Sequence, residues 1–322
     1  MRVLQFALAV MCAVLSAWTV ARAETTPTYD KVSFYFAAHE DDWQLFMNPS
    51  AFQDVLDAGR KTVFIHVTAG DAGLGVGSAG RKHPYYLARE SGAESAIRFM
   101  ADKDGYPSER IATTLMASGH PVRRVSYRNT VTYFLRLPDG HPGGDGFPGT
   151  GNQSLQRLAQ ARIAALRPVD GSTVYLSWAD LVGALRAIID EERGLVPTVE
   201  LNVAELDSTR NPQDHSDHRL TARAALDAAA VTPGLACATR RHFIEYASAK
   251  MPENLGIEER QLESSVVAVT AAGLQALDHP SIWRAYYRTY LGRNYFRTEP
   301  GSGRCGLAPA DAMASQKPSL GR

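Results

Sequence analysis

The sequence predicts an α/β fold with a mainly parallel sheet, and three observations carry that prediction. Val32-Ser33-Phe34-Tyr35-Phe36 is a buried-type run of strand length, and KTVFIHVTAGD contains a second. Between them PSAFQDVLDAGR has helical character and ends at Gly59-Arg60. Strand, helix and strand with short connections make a right-handed βαβ unit, which implies parallel neighbours. In such sheets ligands sit beyond the carboxyl ends of the strands. His39 to Asp42 and the Gly70-Asp71-Ala72-Gly73 turn would both lie there.

The first 23 residues, MRVLQFALAVMCAVLSAWTVARA, stand apart from this pattern. Arg2 precedes an apolar stretch from about Leu4 to Val20, and Ala21-Arg22-Ala23 has the small-x-small form of a signal-peptidase site. Residues 1–23 are therefore read as a cleaved secretory signal, which predicts a secreted or periplasmic protein with no stable membrane span. An uncleaved anchor is the alternative, and the run is near the short limit for a span. A lipoprotein site at Cys12 is the weakest of the three, because bulky Met11 precedes it.

Residues 24–299 are expected to form one domain, since a chain of 322 residues can bury a large core. Lysine plus arginine and aspartate plus glutamate are equal at 34 each. Loss of Arg2 and Arg22 with the signal would leave a charge of about −2, which gives no reason to expect nucleic acid or an anionic membrane as partner. Cys237 and Cys305 then remain as an even pair in an exported chain, so a disulfide between them is predicted. Two unpaired cysteines acting as small apolar residues are the alternative. No CxxC spacing suggests a zinc knuckle.

After the second strand, GDAGLGVGSAGRKHPYY is a glycine-rich loop expected to lie over the site, followed by a helix from about Tyr86 to Asp102. No GxxxxGK[ST] occurs, and no GxGxxG joins the first strand to a helix, which excludes nucleotide binding of those kinds. Ser126 to Leu137 alternates enough for one or two strands, and Pro138 to Asn152 is a long turn-rich loop. Helices are expected over about Ser154 to Leu166 and Trp178 to Glu192, and Pro197 to Leu206 is another buried strand. STRNPQDHSDH is the loop at its end, and RLTARAALDAAA opens a helix. A late strand over Arg240 to Ala247 and a helix over Leu255 to Leu277 complete the pattern. Residues 300–322 are rich in Gly, Ser, Ala and Pro and are expected to form a flexible tail.

Two clusters carry chemistry. In His39-Glu40-Asp41-Asp42, positions i and i+3 of a tight turn can face one point, so His39 and Asp42 are candidate metal ligands, with Asp41 left free. A lone acidic turn is as often a solvated turn. The second cluster is Asp214-His215-Ser216-Asp217-His218, with two histidines three residues apart after a strand. Catalytic zinc takes three ligands from His and Asp/Glu and keeps a position for water. His39, Asp42 and one histidine of the second cluster would supply them. Asp41 would then move the proton, the remaining histidine would stabilise an oxyanion, and Asp214 or Asp217 could hold a histidine tautomer.

On Ala38-His39-Glu40-Asp41-Asp42-Trp43 and His215-Ser216-Asp217-His218 the chain resembles the N-acetylglucosaminyl-phosphatidylinositol de-N-acetylases and their bacterial PIG-L/LmbE-like relatives. That family carries AHPDDE after its first strand and a later HPDH-like motif. The resemblance spans about Lys31 to Ala230. It implies a Rossmann-like three-layer fold with the active site at strand C-terminal ends, a Zn2+ cofactor or another divalent transition metal, and removal of acetyl from an N-acetylated sugar or glycan. Position by position it implies His39, Asp42 and His218 as metal ligands, Asp41 as general base, His215 as the oxyanion-stabilising histidine and Asp217 as the acid beside it. It further implies substrate-binding roles for Arg89, Arg136 and Asp139.

The chain departs from the family where Glu40 replaces proline and Trp43 replaces the motif's last glutamate, changes that could alter substrate contacts. Gln213 stands where some relatives have a tyrosine, so no role for that tyrosine transfers. Two other functions stay open: hydrolysis of a different amide on a sugar-bearing metabolite, and non-catalytic carbohydrate binding on the same scaffold. His66, in a strand, is expected to be a satisfied core histidine. His83, His120, His141, His242 and His279 are scattered over loops and edges, with His141 close enough to Asp139 to touch substrate. Trp283, Tyr286, Tyr287 and Tyr290 have helical spacing and read as a packing face.

Overall fold

A computed structural model describes residues 29–102, 105–284, 288–302 and 305. The signal segment, Tyr286, Tyr287 and most of the expected tail lie outside the described residues. No helix among the described residues is long and apolar enough to cross a membrane.

Among the described residues eight strands form one mostly parallel sheet: β1 (Lys31–Ala37), β2 (Arg60–Thr68), β3 (Ile111–Ala117), β4 (His120–Tyr127), β5 (Thr130–Leu137), β6 (Thr198–Ala204), β7 (Thr239–Phe243) and β8 (Phe296–Glu299), in the order β3-β4-β5-β2-β1-β6-β7-β8. The five central strands, β5 to β7, are parallel, and β3, β4 and β8 add antiparallel edges. The α-helices named among the described residues are α1 (Asp42–Phe46), α2 (Ser50–Leu56), α3 (Tyr85–Ala101), α4 (Leu155–Ala159), α5 (Trp178–Arg193), α6 (Ser216–Ala230) and α7 (Ile257–Ala276).

Strand pleating sends successive side chains to opposite faces. Val32, Phe34 and Phe36 of β1 join one core with residues of α4, α5 and α6. Tyr35 and Ala37 join a second core with residues of α1, α2, α3 and α7. A continuous apolar strand is what burial on both faces requires. Helices α3 and α7 meet at backbone distance: a Cβ on Gly273 would stand 2.7 Å from Gly92 Cα. This close crossing fixes α3, which carries Arg89.

The chain winds outward from β1 in both directions, to β2 and β5 on one side and to β6 and β7 on the other. Where such an order reverses, the connections diverge and leave a crevice beyond the strand ends. The turns after β1 and β6 open into that crevice, and they hold the two His/Asp clusters.

Local differences from expectation have local causes. Ser126 to Leu137 is split by a two-residue turn at Arg128-Asn129, with Arg128 at φ 52° and Asn129 Nδ2 donating to the carbonyls of Val55 and Arg60. The helix expected over Ser154 to Leu166 stops at Ala159, because Ala161 turns to φ 53° and Leu166 bridges to Tyr175 instead. β3 and β8 were not expected. Both are exposed edge strands and lack a buried apolar run.

Cys237 and Cys305 are joined as a disulfide with Cα atoms 5.3 Å apart, and Ser302 N–H donates to Ala236 O beside it at 2.8 Å. The start of the expected tail is therefore tied to the loop before β7. The link spans 68 residues, and closing a loop of that size in the unfolded chain costs about 4 kcal/mol. Cys237→Ala is expected to lower the unfolding free energy by about 2–4 kcal/mol in urea titrations, and reductant should then have no further effect.

Candidate metal centre

The turn after β1 is closed by its own side chain. Asp42 Oδ2 accepts from the His39 backbone N–H at 2.7 Å. This leaves Asp42 Oδ1 3.4 Å from His39 Nδ1 and 3.3 Å from His218 Nε2, with the two ring nitrogens 3.2 Å apart. A tetrahedral centre with bonds of about 2.0–2.1 Å has ligand–ligand edges of about 3.3–3.4 Å. The three atoms fit one face of such a centre, and all three residues are buried. Burial opposes a charge on each of these histidines. The surrounding carboxylates outweigh it, so both titrate well above the usual histidine range, and Asp42 is held well below the carboxylate range. The cluster favours a cation, and two imidazoles with a carboxylate suit a zinc-like ion.

His218 reaches this point because α6 begins at Ser216, three residues earlier than RLTARA suggested, which places it in the first turn. Its Nδ1 donates to Asp214 Oδ1 at 2.8 Å and lies 2.5 Å from Glu245 Oε2. Asp214 is held in turn by Asn211 Nδ2 at 2.8 Å. A proton fixed on Nδ1 leaves the Nε2 lone pair for a metal.

His215 is the N-cap of α6, and its Nδ1 accepts from the Asp217 N–H at 3.1 Å. Its proton must therefore be on Nε2. Burial, and then the positive potential of His39 and His218, push its pKa far below the ordinary value, so it stays neutral. A neutral imidazole with an Nε2–H is a hydrogen-bond donor. Asp217 Oδ2 accepts from Gly140 N–H at 2.7 Å and lies 3.6 Å from His39 Nε2, a charge contact longer than a hydrogen bond. A second group, His39, Asp139, His215 and Asp217, is looser, with separations of 3.6–3.9 Å, so the first triad is the better ligand set.

Asp41 does not stand free as expected. Its Oδ1 is paired with Arg89 Nη2, and Arg89 Nε donates to Glu40 Oε2 at 2.9 Å. Asp41 is also part of the cavity wall. Gly70, at φ 49°, lies under this pair: a Cβ there would stand 2.5 Å from Arg89 Nε and 2.6 Å from Glu40 Oε2. Burial pushes Glu40 up to about 8 against the pull of Arg89. Glu40, one of the two departures from the family motif, is thus a brace behind Arg89.

Trp43, the other departure, is fully buried and makes no part of the cavity wall. Its Nε1–H donates to His66 Nε2 at 3.1 Å, and its ring packs on Phe64 at 4.6 Å. His66 lies 3.3 Å from Tyr133 O through Nδ1 and stacks on Phe134, so it is the satisfied core histidine expected. Burial holds its pKa down to about 4. An unfolded histidine titrates near 6.5, so between those values the unfolded chain binds more protons. Stability is lost as pH falls from about 6.5 to about 4, by up to about 3 kcal/mol. Urea titrations of the protein and of His66→Gln should show the variant's deficit shrinking by that amount over this window.

His39, Asp41, Asp42, Arg89, Asp139 and His215 line a cavity of about 120 Å³, closed on another side by Leu45, Phe46, Tyr246 and Tyr290. Asp139 is positioned by its backbone: its N–H donates to Asp71 Oδ1 at 2.8 Å, and its Oδ1 accepts from His141 N–H at 2.9 Å. Arg136 lies elsewhere. It forks onto Glu90 at 2.5 and 2.8 Å and bonds Asp170 at 2.7 Å, outside the cavity lining. His141 packs on Phe147 and is also outside that lining.

Sequence patterns did not single out Asp71, Glu245, Tyr246 or the cavity position of Tyr290. Glu245 follows a parallel strand as the two clusters do, a signal that was present. Tyr246 and Tyr290 stack at 5.7 Å and come together only through the fold. No protein-family model and no curated protein matches this chain.

Proposed function

We propose that this chain is an exported, zinc-dependent deacetylase of the PIG-L/LmbE-like kind. In this view it has a Rossmann-like three-layer fold with its active site at the strand C-terminal ends, and it removes the N-acetyl group from an N-acetylglucosamine-type sugar. The observation that carries this is the 3.2–3.4 Å triangle of His39, Asp42 and His218 beside Asp41 and a neutral His215.

When bound at that triangle, zinc would polarise the acetyl carbonyl and acidify water. Arg89 holds Asp41 by Oδ1, so Oδ2 is the oxygen that takes the proton from the attacking water. His215 Nε2–H donates to the oxyanion that forms from the carbonyl. Asp41 then returns the proton to the amide nitrogen as the C–N bond breaks, releasing acetate and the free amine. The cavity suits an acetamido group, with the rest of the substrate outside it. Asp139 can accept from a sugar hydroxyl at the rim, and the Phe46, Tyr246 and Tyr290 wall packs the apolar face. The disulfide accords with a secreted or periplasmic location.

Acetate release across N-acetylated oligosaccharides and glycolipids, with and without chelator, tests the proposal. Folded, zinc-loaded protein that released acetate from none of them would overturn it, and release from other sugar amides alone would move the substrate class.

A further inference from the structure

The two edges of the sheet differ in chemistry. β8 is four residues long and carries Arg297 and Glu299. β3 reads IATTLMA, seven residues with no charge and no proline, in unbroken register with β4. An open edge is a template for another strand, and monomeric proteins blunt it with charge, proline or a bulge. β3 has none of these.

Its register decides which backbone groups are open. The turn at Ser118-Gly119, with φ 51° and 91°, is a two-residue hairpin loop closing on the Ala117–His120 pair. Pairing alternates from there, so Ala117, Leu115, Thr113 and Ile111 direct their N–H and C=O groups to β4, and Ala112, Thr114 and Met116 direct theirs outward. Among the described residues those outward groups have no hydrogen-bond partner. Met116 is 61% exposed and Ile111 48%.

We propose that β3 pairs antiparallel with β3 of a second copy, about a two-fold axis at Thr114. The outward residues are spaced symmetrically about Thr114. A half-turn there sets Ala112 opposite Met116 of the second copy and Thr114 opposite its own counterpart. The three pairs exchange about six backbone hydrogen bonds, and a two-fold contact of this kind closes as a dimer. Met116 then falls on Ala112 and its β4 neighbour Val125, which are apolar, and no like charges are set opposite one another. A second copy is favoured over a foreign strand because this segment is complementary to itself. Strands β4, β5 and β2 separate β3 from β1, so the candidate metal centre stays open.

Light scattering on the purified protein should return about twice the mass of one chain. Thr114→Lys sets two ammonium groups at the axis, and it should return the mass of one chain with unchanged far-UV circular dichroism. Thr114→Cys should cross-link under oxidation, because opposed residues of a bonded antiparallel pair have Cα atoms about 5.5 Å apart, within disulfide range. Thr113→Cys, opposite Leu115, should not. A single-chain mass at every concentration up to the solubility limit would overturn the proposal and leave the edge to an extended segment of another protein. A dimer that survives Thr114→Lys and fails to cross-link through Thr114→Cys would also overturn it.

Discussion

Asp41→Asn is expected to keep full zinc stoichiometry and to lower kcat for acetate release by about 10²–10⁴-fold, the usual contribution of a positioned general base. The substitution is nearly isosteric. Asparagine Oδ1 can still accept from Arg89, so the Glu40–Arg89 brace and the turn after β1 should survive. What is lost is an oxygen able to take a proton. Asp41 contributes no atom to the His39, Asp42 and His218 triangle, so metal analysis should not change. Wild-type turnover in this variant would remove Asp41 as the base. Coupled loss of zinc would show instead that the turn had collapsed.

His218→Ala should have the largest effect on metal content and on stability together. It removes one corner of the triangle, and two remaining ligands bind zinc far more weakly than three. It also leaves Asp214, Glu245 and Asp42 buried without the ring they share. Breaking a buried charge pair by deleting one partner costs about 3–5 kcal/mol. The variant is expected to purify with substoichiometric zinc, to melt below the wild type, and to lose the rise in thermal midpoint that added zinc gives the wild type. Asp214→Asn tests the same ring from behind and should weaken zinc about 10–100-fold, because Asp214 fixes the tautomer and does not touch the ion. A zinc-dependent rise in midpoint that persisted in His218→Ala would place the metal elsewhere, with the looser His39, Asp139, His215 and Asp217 group the next to test.

Much of the frame was legible because its signals are local. VSFYF and TVFIHV are buried on both faces and therefore read as continuous apolar runs. His39 with Asp42 could be read as a pair because one tight turn fixes their spacing, and His218 because it opens a helix. Arg89 could be named but not understood. Its carboxylate partners Glu40 and Asp41 are more than 40 residues away in sequence, and they become visible only when α3 packs beside the turn after β1. Arg136 shows the opposite outcome. It lies in a strand whose end borders the cavity, yet Glu90 and Asp170 take its guanidinium.

By itself the sequence determined the α/β order of elements, the two His/Asp turns and the cysteine pair, because strand periodicity, turn chemistry and residue type are written within a few neighbouring positions. Only the tertiary structure decided that Trp43 is a core anchor for His66, that Glu40 braces Arg89 behind Asp41, that Glu245 backs His218, and that Tyr246 and Tyr290 close the site. Those roles depend on which strand ends meet at the reversal of sheet order. That meeting is set by packing between residues far apart in the chain, such as Phe46 and Tyr290, and no local pattern encodes it.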